Sequence, residues 1–110
     1  MIKVALKDAK PYEVPGHFKM VALRLHHRET TGVKAFWVGL SHFLPGGGAE
    51  MSASDFEKVY FVLSGTLTVT AENGKTFRLE PMDSLYIPPG EKRARARKLP
   101  ATMLVICSYP

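Results

Sequence analysis

Glu57 to Leu79, EKVYFVLSGTLTVTAENGKTFRL, joins a short apolar run to an alternation of apolar residues with threonine, and glycine interrupts it at Gly65 and Gly74. β-Branched and aromatic residues at a period of two suit a pleated sheet with one buried face, whereas three turns of 3.6-residue periodicity occur nowhere in the chain. Asn73-Gly74 lies between two threonine-rich segments. It is the dipeptide a two-residue type I′ hairpin prefers, because both central residues of that turn need positive φ. Outward from this hairpin the same reading predicts strands over Lys19 to His26, Lys34 to Phe43, Val59 to Ser64, Thr66 to Thr70, Thr76 to Leu79, Ser84 to Ile87, Lys92 to Arg97 and Thr102 to Cys107. Short strands bounded by Gly, Pro and Asn predict an all-β sandwich or small barrel. Thr31-Gly32 is expected to turn an earlier hairpin, and Pro45-Gly46-Gly47-Gly48 and Pro88-Pro89-Gly90 to break the chain.

The chain has 110 residues, enough for one core, so residues 19–110 are read as a single domain preceded by an arm or edge strand over 1–18. Fifteen Lys and Arg oppose ten Asp and Glu, a net charge of +5. The octet Glu91 to Lys98, EKRARARK, carries +4 of it, from five cations and one carboxylate. No apolar run has the roughly 18 residues a spanning helix needs, and the first residues lack a signal-peptide pattern, so no membrane partner and a cytoplasmic location are expected. The octet is short and not interleaved with aromatic residues, so no nucleic-acid partner is expected. Cys107, the single cysteine, sits in the apolar run MLVIC and reads as a buried, inert thiol.

Two segments carry a resemblance to a family. Pro45-Gly46-Gly47-Gly48, a polar loop and Glu57 to Gly65 (EKVYFVLSG) resemble the first conserved motif of the cupins, and Met82 to Gly90 (MDSLYIPPG) resembles the second, at a fitting separation. The resemblance spans about Gly39 to Ile106. It implies a jelly-roll β-barrel of two antiparallel sheets around a pocket, and commonly a homodimer, whose outer face Phe61 and Leu63 would help to form. Where metal-binding cupins carry their histidine and glutamate ligands, this chain has Ser52, Ser54, Lys58 and Arg93. An ammonium and a guanidinium repel a divalent cation, so no metal or other cofactor is expected. The Gly that opens the second motif in relatives is Met82 here.

Alternation then orders the faces. If Lys58 points inward, so do Tyr60 and Val62; if Arg93 does, Arg95 and Arg97 share its side. A cluster of Lys58, Arg93 and Arg95 at the pocket, with Ser52, Ser54 and Tyr60, would need pairing with Glu50, Asp55 or Glu57 or else an anionic ligand. The expected ligand is a small polar or anionic organic molecule, bound in an accessory or sensor role, since guanidinium forks suit carboxylate or phosphate. The other reading of the octet is a half-exposed strand with its arginines in solvent. An enzyme of the metal-independent isomerase or epimerase type would draw its acid–base groups from Lys58, Tyr60, Tyr86 and His42. A metal-dependent oxygenase or decarboxylase would need relocated ligands, for which His26 and His42 are the candidates. Tyr60 and Tyr86 are expected to be partly buried with their hydroxyls at the pocket, and Met20, Met51 and Met103 to line core or pocket.

Overall fold

A computed structural model describes residues 1–96 and 100–109, the side chains at 95 and 96 excepted. Arg97, expected to close the basic strand, lies outside the described residues. A 3-10 turn over Leu6–Asp8 precedes nine strands: β1 Lys10–Pro11, β2 His17–His26, β3 Phe36–Ser52, β4 Lys58–Ser64, β5 Leu67–Ala71, β6 Thr76–Leu79, β7 Ser84–Ile87, β8 Arg93–Ala96 and β9 Ala101–Ser108. Every pairing among them is antiparallel. The path runs β6-β5-β8-β3-β9-β4-β7, with β2 and then β1 attached to β3. The two ends of that path, β6 and β7, are consecutive in sequence, so the sheet curls into a nearly closed barrel with a seam between them. This is the all-β jelly roll the sequence implies.

The long strand β3 makes the curl possible. Its first half pairs with β9 and β2, and its second half crosses to β8. The expected break at Pro45-Gly46-Gly47-Gly48 is therefore a bend within a strand. Gly46 takes φ +78°, and a Cβ on Gly47 would collide with the Lys19 carbonyl oxygen. Glycine there lets β2 cross close to the corner, at the register shift between Phe18 and Met20.

The β5–β6 turn also differs from the type I′ expectation. Only Gly74 takes positive φ, at +86°, and Asn73 does not. The Gly74 amide donates to the Ala71 carbonyl and the Ala71 amide to the Lys75 carbonyl. The loop is therefore three residues, a turn followed by a left-handed glycine, and the Asn73 side chain accepts from the Lys75 amide at 3.0 Å.

Alternation is obeyed on both faces. Phe43, Tyr60, Val62, Leu67, Val69, Leu79, Ile87, Met103 and Val105 form the buried core. Met20 packs against it, whereas Met51, expected at core or pocket, is exposed. On β3, β9 and β4 most outward residues are apolar as well: register sets Leu40, Leu104 and Phe61 side by side, and Val38, Ile106 and Val59 beside them.

Candidate functional site

The inner face of β7, β4, β9 and β3 ends in a row that the register defines residue by residue. Ile87 of β7 stands opposite Lys58 of β4, Lys58 opposite Cys107 of β9, and Cys107 opposite Trp37 of β3. One level deeper lie Leu85, Tyr60, Val105 and Gly39. Across the barrel, β8 brings Arg93 opposite Ala71 and Ser52.

Arg93 is buried, with 6% of its surface exposed. Its Nε donates to the Tyr60 hydroxyl at 3.3 Å and its Nη1 to the Ser52 carbonyl at 2.7 Å. A guanidinium has five N–H groups, so three remain, all at its terminal fork, and no acceptor among the described residues takes them. No carboxylate among the described residues lies within 4.0 Å of it. The ion pairs that do form, Arg24–Glu29, Arg78–Glu80 and Lys92–Glu72, are at the surface. Arg93 also borders a cavity of about 190 Å³ at the seam, walled by Val69, Ala71, Phe77, Leu85 and Ile87 with Glu91 and Tyr86 at its rim. A buried charge without a counter-charge is costly unless something else neutralises it.

The structure sorts the sequence-derived candidates. Tyr60 is fully buried beside Arg93, and Lys58 shares the inner row. Ser52 contributes only its carbonyl to Arg93. Ser54 serves the loop instead: its Oγ accepts from the Phe56 amide and its carbonyl from the Gly90 amide. The Arg95 backbone stands opposite Val69 and Ala49. Tyr86 is not a buried pocket hydroxyl, because Leu85 and Ile87 take the inward positions of its strand. It is 55% exposed and donates to Glu57 Oε1 at 2.8 Å, a bond that raises its pKa. His42 lies on the outer face between Val21 and Thr102, and its Nδ1 meets Thr102 Oγ1 at 2.7 Å, so it is no acid–base partner of the cavity.

Nor do His26 and His42 converge. Their positions on β2, His26 itself and the Val21 opposite His42, are five residues apart, roughly 16 Å of strand. His26 is bonded to Thr31 instead, at 3.0 Å. No group of three His, Cys, Asp or Glu able to hold a metal ion occurs among the described residues. At the family's ligand positions stand two serines, a lysine and a buried arginine, a donor set that does not fit the cation.

Register adds to the sequence reading of Cys107 as a buried thiol by setting it between Lys58 and Trp37. Cys107 is buried, and that burial raises its thiol pKa against the opposing influence of Lys58, a hydrogen bond with Trp37, and Arg93. The apolar run around Cys107 signals burial. Only register shows that it stands opposite Lys58 in the inner row.

Residues 39–107 match the Cupin domain family. The chain belongs to the cupins. Among curated proteins it resembles beta-D-galactosidase Rv1717 of Mycobacterium tuberculosis, at 38% identity over 105 residues, covering 94% of this chain and 90% of that one. Solved structures share the fold at lower identity. The polyketide cyclase RemF of Streptomyces resistomycificus superposes with a TM-score of 0.88 at 21% identity, over 98% of this chain and 79% of that one. A sugar phosphate isomerase of the cupin superfamily from Silicibacter pomeroyi gives 0.80 at 21%, over 99% and 76%.

Proposed function

We propose that this cupin binds a small anionic organic molecule in its barrel without a metal ion, acting as a binding or sensor module. The observation that carries the reading is Arg93: a buried guanidinium, aimed by Tyr60 and Ser52, with three N–H groups left at the edge of a cavity. An anion there supplies both the missing counter-charge and the missing acceptors, and a planar carboxylate matches the fork in two parallel bonds. The test is thermal stability in the presence of acetate and of inorganic phosphate. A ligand at 100 times its Kd stabilises by about 2.7 kcal/mol. The shift is expected in the wild type and not in Arg93→Met. An equal shift in that variant sinks the reading.

The galactosidase name of the 38% identical relative favours a second reading, an enzyme acting on a sugar or small acid. Lys58 and Tyr60, on the inner side of β4, are its acid–base groups, since the Tyr86 hydroxyl at the rim is bonded to Glu57 and His42 lies on the outer face. Glycoside hydrolysis ordinarily uses two carboxylates, and among the described residues bordering the cavity only Glu91 is one. Hydrolysis of nitrophenyl β-galactoside that Tyr60→Phe abolishes would establish this reading over the first.

The biological unit in this proposal is a homodimer joined through the outer face of β3, β9 and β4. Apart from His42 and Thr102 at one end, the side chains there are apolar across three adjacent strands, with Ile106 and Leu63 exposed at its surface, and an apolar patch of this kind fits a second copy of itself. No helix among the described residues is long and apolar enough to cross a membrane. The free thiol of Cys107 suits a reducing, cytoplasmic compartment.

A further inference from the structure

The chamber beside Arg93 is polar at one end only. Its walls are Val69, Phe77, Leu85 and Ile87, whose side chains offer no donor or acceptor, and the backbones of Val69 and Phe77 are paired with each other in the β5–β6 ladder. Tyr86 stands at the rim, but its hydroxyl proton is committed to Glu57. A polyhydroxylated ring placed here would bury several hydroxyls against carbon, each costing about 1–3 kcal/mol when unpaired.

Size and charge narrow the ligand further. A cavity of about 150 Å³ lined by aliphatic and aromatic residues holds benzene, so the roughly 190 Å³ here admits one six-membered ring and a small head group. Glu91 at the rim places a negative charge where a second anionic group of the ligand would emerge, and like charges at close range repel. The guanidinium is therefore matched to one carboxylate.

From this we infer that the ligand is a monocarboxylate with an apolar body of about one ring, an aromatic or alicyclic acid, seated with its carboxylate on the Arg93 fork and its ring between Phe77 of β6 and Leu85 and Ile87 of β7. The inference rests on the anion-binding reading above and adds the chemistry of the ligand's body. It sets the chamber apart from a sugar site, despite the galactosidase name of the 38% identical relative. The seam between β6 and β7 is the way in, because those two strands end the sheet path and are not paired with each other.

Calorimetric titration of the full chain with benzoate, cyclohexanecarboxylate, acetate, glucuronate and phthalate separates the possibilities. Benzoate and cyclohexanecarboxylate are expected to bind at least tenfold more tightly than acetate, from the apolar area they bury, and at least tenfold more tightly than glucuronate or phthalate. Arg93→Met is expected to abolish binding of all five. Ala71→Leu, which fills the chamber at a position opposite Arg93, is expected to weaken benzoate at least tenfold and leave acetate unchanged. This second variant decides the matter if Arg93→Met fails to fold. Acetate binding as tightly as benzoate, with both dependent on Arg93, overturns the ring-sized chamber and leaves the anion site standing. Glucuronate or phthalate binding most tightly overturns the inference in the same way. Absence of binding by every acid overturns both.

Discussion

Met82 stands where the resemblance to the cupins implies a glycine, and its backbone takes the left-handed conformation a glycine would adopt freely. The residue takes φ +75° and is 71% exposed, so its side chain recovers little packing in exchange for a left-handed backbone. The turn keeps its shape because it is held from both sides: the Met82 amide donates to the Val62 carbonyl, and the Val62 amide to the Asp83 carbonyl. Met82→Gly is expected to raise stability by about 1 kcal/mol, the left-handed penalty less the added chain entropy, as measured by urea unfolding. A second prediction concerns Cys107. Burial raises its thiol pKa above the ordinary 9.0, so the folded state holds its proton after the unfolded chain has released it. Stability from this group is complete below pH 9 and falls as pH rises from there. The wild type should lose more stability than Cys107→Ala between pH 8 and pH 10.5. Parallel pH curves for the two proteins would refute it.

Among the elements, the strand corners carry the strictest requirements. Gly65, between β4 and β5, takes φ +75°, and a Cβ there would run into the Pro100 carbonyl oxygen at the start of β9. That oxygen is backbone and cannot swing aside. Gly65→Ala is expected to cost about 2–4 kcal/mol, from left-handed strain plus displacement of β9, and thermal unfolding measures it. Gly74→Ala is a useful contrast, since its φ is also positive but nothing lies within 4 Å of the added methyl. Its cost should stay near 1 kcal/mol. Similar losses at the two sites would show that backbone strain alone, without the β9 collision, sets the price. Much of this level is legible in sequence: strands β6 and β7 have the bounds that period two predicts. The run-through of β3 past Pro45 is not, because a glycine cluster reads equally as a break or as room for a crossing strand, and the crossing strand is β2, more than twenty residues away.

At the scale of the whole molecule, the apolar outer face and the basic octet bear on the proposed partners. If the outer face of β3, β9 and β4 joins two copies, the protein should sediment at twice its 12.2 kDa mass, and Ile106→Glu should return it to 12.2 kDa by placing a charge in a desolvated interface. A wild type that sediments as a monomer at micromolar concentration would refute the dimer. The net charge of +5 likewise changes meaning in three dimensions. Arg93 belongs to the octet that carries most of it, yet it is buried in the barrel wall, while Lys92 beside it pairs with Glu72 at the surface. The octet is thus divided between inside and outside, which is a poor footprint for a polyanion and a workable one for a single small anion.

The sequence by itself determined the all-β class, the approximate strands and the pairing of faces within each strand, and its resemblance to the cupins implied Ser52, Ser54, Lys58 and Arg93 at the metal-ligand positions. Those features are local, or follow from a two-residue period that any pleated strand obeys. Only the tertiary structure decided which of the two faces points inward and which strands lie side by side. Alternation places Tyr86 opposite in sense to Leu85 and Ile87, and His42 to Ser41 and Phe43, but it does not say which set the core will claim. The same holds for Cys107, whose nearness to Lys58 and Trp37 depends on a register between strands up to seventy residues apart. Burial of Arg93 beside Tyr60 is likewise a consequence of how the barrel closes: the curl of β3 carries β8 across the chamber, and no local preference of Arg-Ala-Arg-Ala specifies that.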